Sequence, residues 1–180
     1  MKLEYYKDNL ILKVLDSSYA EQVLEFYGSN RDEFDKYETD KPDNFYTIDF
    51  IDNLLHAEYT AFLQGHHIRF FLYDKTVPDT IIGTISFSSL KGGAFKSCIT
   101  GYKIDKKFQC HGYGRRMLTM ALKIIVTELN MHRIEAYISP DNEASISLAT
   151  TLGFINEGMA YSYVFIKGQW HDHFRYVYIS

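Results

Sequence analysis

Apolar residues recur along this chain in two periods, and the switch between them lays out the elements. The run Asn9 to Leu15, NLILKVL, is short, apolar and rich in strand-forming residues, which predicts a strand. It leads into DSSYAEQVLEFYGSN, where Ser18 and Glu21 have the spacing of a capping box and predict a helix. Pro42 and Asn44 mark a loop, and a second helix is predicted from about Thr47 to Gln64. Three runs rich in β-branched and aromatic residues follow, HIRFFLYD, TIIGTISFSS and SCITGYKID, separated by the turn-like KTVPDT and LKGGAFK. They predict an antiparallel meander.

The period then returns to that of a helix. Met117, Leu118, Ala121, Leu122, Ile125 and Val126 place one buried face on the segment up to Leu129. HRIEAYIS reads as a strand, PDNEASISLATTLGF as a helix opened by a polar cap and closed at Gly153, and the tail from Met159 as a hairpin turning at Lys167 to Gln169. No repeat, low-complexity tract or linker divides the chain, so one domain over residues 1–180 is expected. The fold class is mixed α/β: a mostly antiparallel sheet with a strand–helix–strand crossover at its centre.

Charge and cysteine usage narrow the partners. With 23 acidic and 19 basic side chains the net charge is −4, which gives no footprint for a polyanion such as nucleic acid. Cys98 and Cys110 fit neither a disulfide framework nor a zinc spacing, which suggests a reducing compartment. The opening MKLEYYKDNL is too charged for a signal-peptide core, and no apolar run is long enough to span a bilayer. A cytoplasmic protein with no membrane partner is expected. Between Arg31 and Asp52, eight acidic residues stand against three basic ones. That excess would favour a cationic ligand, or it is a solvated face.

The stretch FQCHGYGRRM carries the sharpest chemistry. Gly112 and Gly114 fall where a strand gives way to a helix, and the first turn of a helix presents N–H groups without intrahelical acceptors. Such a terminus attracts anions, and Arg115 and Arg116 add full charges beside it. A plain tight turn with solvated arginines is the competing reading. The glycine spacing matches neither a mononucleotide P-loop nor the dinucleotide fingerprint.

QCHGYGRR resembles the Gln/Arg-x-x-Gly-x-Gly/Ala signature of the GNAT N-acetyltransferases, and HRIEAYISPDNEASISLATTLGF resembles the Asn-x-x-Ser helix and LGF ending of their Rim-type branch, the ribosomal-protein-alanine N-acetyltransferases and their relatives. The resemblance implies the GNAT fold, a sheet splayed at the cofactor site with about four flanking helices. It implies acetyl-CoA as co-substrate. The pyrophosphate would lie on Gln109 and the backbone of Cys110, His111, Gly112, Tyr113, Gly114 and Arg115. The pantetheine arm would pair with the main chain of Tyr102, Lys103 and Ile104, and Asn142 would hydrogen-bond the cofactor or simply cap its helix.

Ser145 matches the Rim-type serine that assists the leaving thiolate, with a polar first-turn residue as the alternative. Two positions depart from family patterns: Ala149 stands where many members place a tyrosine, and Val164 where some Rim-type enzymes place a glutamate. The strand RIEAYIS offers Glu135 and Tyr137, on one face by its period of two, as candidates for the base. Cys110 next to His111 suggests a covalent acyl-enzyme only weakly, since adjacent side chains seldom meet. His66, His67, His171 and His173 lack the companions that would complete a metal site, and exposed strand positions are expected for them. The function expected is direct acetyl transfer to a primary amine, a protein or peptide N-terminus. Transfer to a polyamine, amino sugar or antibiotic, or acyl-CoA binding without turnover, are the alternatives. The outward aromatic residues of the tail would line the acceptor cleft or a homodimer contact.

Overall fold

The three β-rich runs form the centre of the sheet. The computed structural model describes residues 1–180. Its eight strands are β1 (Glu4–Lys7), β2 (Leu10–Lys13), β3 (Ile68–Asp74), β4 (Gly83–Lys91), β5 (Ser97–Ile104), β6 (Arg133–Ile138), β7 (Ile155–Ile166) and β8 (Gln169–Ile179). They lie in the order β1-β2-β3-β4-β5-β6-β8-β7. Every neighbouring pair is antiparallel except β5 and β6, which are parallel because a helix carries the chain across between them.

Helices cover both faces of the sheet. They are α1 (Ala20–Ser29), α2 (Arg31–Phe34), α3 (Ile48–Leu63), α4 (Tyr113–Leu129) and α5 (Glu143–Thr151). The alternation in β3 shows why two faces are needed. Ile68, Phe70 and Leu72 join the core under α4, while Phe71 joins a second core with Ile51 and Leu55 of α3. Each of these fully buried side chains contributes about 1.5–3 kcal/mol relative to exposure.

Local chemistry fixes the helix ends, with some departures from the expected boundaries. Thr47 caps α3, its Oγ1 accepting from the Phe50 N–H at 3.3 Å, and the chain leaves the helix at Gln64 as predicted. The Ser18–Glu21 capping box does not form. Asp16 accepts from the Ser18 N–H at 2.9 Å and starts a 3-10 turn, Ser17–Tyr19, so α1 begins at Ala20. The edge strand β1 was not foreseen from EYYK, and α2 is a single turn inside the segment read as loop.

Arg69 and Glu58 tie α3 to the sheet, with Arg69 Nε 2.8 Å from Glu58 Oε1 and both side chains about 85% buried. Burial works to raise the Glu58 carboxyl, but Arg69 and His67 outweigh it and hold it below the usual range. A lowered carboxyl stabilises the fold above its unfolded pKa, and that contribution is lost as pH falls through the folded value. Glu58→Gln is therefore expected to lower stability by about 2 kcal/mol at pH 7 and by much less in acid, as read by urea denaturation at the two pH values. An equal loss at both would show that the charge of Glu58 is not what matters.

Candidate active site

The sheet opens beside its one parallel seam. β5 and β6 pair only from Ser97 to Ile99 against Arg133 to Glu135. Beyond that point β5 keeps β4 as a partner through Ile104, and β6 keeps β8 through Ile138, but the two inner edges face no strand. The backbone of Gly101 to Ile104 is thus an edge able to pair with an extended, amide-bearing ligand. Gly83 seats this edge: a Cβ there would come within 2.6 Å of the Lys103 carbonyl oxygen. A cavity of about 710 Å³ fills the opening and is lined by Tyr102, Lys103 and Ile104 on one side and Ala136 to Ser139 on the other.

At its mouth lies the glycine loop. Asp105 caps a 3-10 turn, Lys106–Phe108, and the chain then reaches Gly112, which caps α4 with φ +78°. The first intrahelical bond is Arg116 N–H to Gly112 O at 3.1 Å. None of the backbone N–H groups from Cys110 to Arg115 meets an acceptor within the chain under standard hydrogen-bond geometry. Free amides at a positive helix end suit an anion. Gln109, Cys110, Gly112, Gly114 and Arg115 line the cavity, whereas the side chains of His111 and Tyr113 turn away. His111 Nδ1 approaches Gln109 O at 2.6 Å, and the Tyr113 hydroxyl donates to Asp74 at 3.0 Å.

The two glycines have different tasks. Gly112 supplies the left-handed backbone that turns the loop into the helix. Gly114 lets α4 approach its neighbours: a Cβ there would sit 3.1 Å from Leu148 and 3.6 Å from Ile104. Gly114 thus serves close packing as well as lining the cavity. Arg116 also leaves the cradle and donates to Asn9 Oδ1 at 2.6 Å.

Asn142 caps α5, its Oδ1 accepting from the Ser145 N–H at 3.1 Å, and it also lines the cavity. Asn142→Ala is expected to cost about 1 kcal/mol of stability, and Asn142→Asp to retain the cap, as read by thermal unfolding. Ser145 is half-buried on the cavity wall, its hydroxyl bonded to no group of the chain. The Tyr102 hydroxyl donates to the Ser145 carbonyl at 3.1 Å, and burial pushes that phenol up to about 12. Ala149 is fully buried in the core, and Val164 lies on β7 opposite His171.

The opposite part of the cavity is walled by Glu33, Tyr37 and Glu38 from the acidic segment, by Arg69 of β3, and by Tyr137 and His173. Glu38 is paired with Lys41 and Lys103, while Glu33 is exposed. Tyr37 reaches the turn before α5, donating to the Asp141 carbonyl at 3.3 Å. Glu135 and Tyr137 share a face as predicted, but only Tyr137 reaches the cavity. Glu135 is drawn to Arg133 at 2.7 Å and accepts from the Tyr137 hydroxyl at 2.8 Å. Burial opposes ionisation, yet these two donors hold the carboxyl below its ordinary range. The Tyr137 ring stacks on Tyr163 at 4.0 Å.

His173 was missed. It was expected on an exposed strand position, but it is 6% exposed, whereas His171 two residues earlier is open to solvent. The period of two puts His171 and His173 alike on the face of Tyr137, so no local signal in the sequence separates the buried ring from the exposed one. No group of three His, Cys, Asp or Glu side chains converges as metal ligands would, and no helix is long and apolar enough to cross a membrane.

A sheet parted beside a helix start with free amides offers space and donors of the kind that an acyl-carrier-dependent transferase uses. Residues 9–155 match the acetyltransferase (GNAT) domain model, and the chain belongs to that family. It is 30% identical over 178 residues to the ribosomal protein uS5-alanine N-acetyltransferase of Escherichia coli strain K12, covering 96% of this chain and 88% of that one. The ribosomal-protein-S5-alanine acetyltransferase structure from Vibrio fischeri superposes with a TM-score of 0.92 at 27% identity, over 99% of this chain and 97% of the other. Mycobacterium smegmatis RimJ, solved in complex with CoA-disulfide, shares the fold with a TM-score of 0.88 at 19% identity, over 95% and 82%.

Proposed function

We propose that this chain, acting as one domain over residues 1–180, transfers an acetyl group from acetyl-CoA to the amine of a protein or peptide N-terminus. The observation that carries this reading is the run of free amides from Cys110 to Arg115 at the mouth of the parted strands. Those amides suit the pyrophosphate, and the open edge of Gly101 to Ile104 suits the pantetheine arm. Acetyl-CoA supplies an activated thioester. The chain's part is to align it with the acceptor and to stabilise charge where it develops, which backbone donors beside the thioester carbonyl would do. The Ser145 hydroxyl, bonded to no group of the chain and on the cavity wall, would donate to the leaving thiolate.

The acceptor side carries the exposed carboxylate Glu33 and the aromatic residues Tyr37 and Tyr137, a lining suited to a cationic amine on an extended chain, while Glu38 there is already paired with Lys41 and Lys103. The E. coli and V. fischeri relatives are named for an alanine of a ribosomal protein, which supports a peptide acceptor over a free polyamine. Thiol release from acetyl-CoA tests this against peptides starting with alanine, the same peptides with blocked N-termini, polyamines and amino sugars. Turnover of free-terminus peptides alone is expected. Preference for a small amine would overturn the acceptor assignment, and binding without turnover of any amine would overturn the activity. The compartment expected for such a protein is the cytoplasm.

A further inference from the structure

His173 lines the acceptor side of the cavity, is 6% exposed, and has an Nδ1 with no hydrogen-bond partner in the chain. A buried imidazole nitrogen without a partner is costly, so its presence here calls for a partner that comes from outside the chain. No carboxylate is hydrogen-bonded to the ring. On β7, Tyr163 packs against it with centroids 5.7 Å apart. On β6, Tyr137 stacks on Tyr163 and donates a hydrogen bond to Glu135, which is tied to Arg133. Along β8, His171 is exposed, Asp172 accepts from the Ser162 N–H at 2.7 Å, and Arg175 faces Glu157 at 3.2 Å. The charged neighbours are thus engaged with one another. Burial lowers the His173 ring below the ordinary histidine pKa, outweighing the backbone carbonyls of His171 and Asp172 that pull the other way, and so favours the neutral ring.

The carboxylates that could compete are poorly suited. Glu135 does not line the cavity and is held ionised by Arg133, and Glu38 is held by two lysines. We propose that the His173 imidazole is the base that takes the proton from the acceptor ammonium group. This rests on the acetyl-transfer reading above. The ring's lone pair takes one N–H proton, leaving a neutral amine. The amine nitrogen then bonds to the thioester carbonyl carbon as the C–S bond breaks, and that electron pair leaves on sulfur. The second proton lost from nitrogen ends on sulfur as the thiol, and the imidazolium returns its proton to solvent.

Two acceptors separate this from a packing role: an alanine-first peptide, an ammonium ion at about pH 6–7 by its α-amino pKa, and an aminooxy peptide whose terminal nitrogen is neutral there. The wild type is expected to show an acid limb in kcat with the first acceptor and none with the second. His173→Gln is expected to lower kcat about 10²- to 10⁴-fold with the first, with the loss shrinking to a few fold with the second and acetyl-CoA affinity unchanged. Equal losses with both acceptors, or no loss, would overturn the assignment. Should the variant fail to fold, the wild-type profiles decide: a kcat without an acid limb for the ammonium acceptor overturns it. Wild-type protein that binds acetyl-CoA but turns over neither acceptor would overturn the acetyl-transfer reading, and the base with it.

Discussion

Gly112→Glu is expected to raise the dissociation constant for acetyl-CoA by at least about 10³-fold, read by isothermal titration calorimetry, which corresponds to about 4 kcal/mol. Two effects contribute. The residue holds φ +78°, where a side chain costs about 1–2 kcal/mol. The larger effect is electrostatic: a carboxylate at the helix cap would occupy the donors meant for phosphate, and hydrogen bonds to a charged group are each worth about 1.5–3 kcal/mol. Gly112→Ala separates the two. Nothing lies within 4 Å of a Cβ at this position, so alanine should lower stability by about 1 kcal/mol and leave affinity within a few fold. Wild-type affinity in the glutamate variant would show that the amides of this loop are not the cofactor site.

Asn30→Ala is expected to cost about 3–4 kcal/mol in urea denaturation and to weaken acetyl-CoA binding, although Asn30 does not line the cavity. The side chain is fully buried where α1 meets α2. Its amide donates to Phe26 O at 2.8 Å and to Asp105 Oδ2 at 2.9 Å, and its carbonyl accepts from the Lys106 N–H at 2.9 Å. Asp105, itself 6% exposed, accepts in turn from the Lys107 N–H at 2.8 Å. Removing Asn30 leaves a buried carboxylate short of a donor and frees the turn at Asp105 to Lys107, which leads into the glycine loop, from α1 and α2. Loss of stability with unchanged affinity would confine Asn30 to the fold.

Much of this arrangement was legible in the residues. Thr47 and Gln64 bounded α3 because a threonine cap is local chemistry, and the pattern Met117 to Val126 fixed α4 because one face had to be buried. The free amides at Gly112 were legible because an open helix start follows from chain geometry alone. What escaped depends on neighbours distant in sequence. Ser18 was offered a closer partner in Asp16 than Glu21, so the capping box lost. Glu135 looked like a base until Arg133, two residues away on the same face, claimed it. His173 differs from the exposed His171 only because Tyr163 and the wall of the cavity cover it, and no local pattern says so. Gly114 looked like its neighbour, yet its task is set by Leu148.

The short seam between β5 and β6 has a mechanical consequence. Within the sheet, three parallel pairs and the Lys96 carbonyl, which accepts from the His132 and Arg133 N–H groups, join the leaf β1 to β5 to the leaf of β6, β8 and β7. Tension passing across the sheet therefore concentrates at Ser97 to Ile99, with the covalent crossover through α4 as the other tether. A carrier lying along the inner edges of both leaves acts as a splint, and its occupancy adds to the work of pulling the leaves apart by the free energy with which it binds.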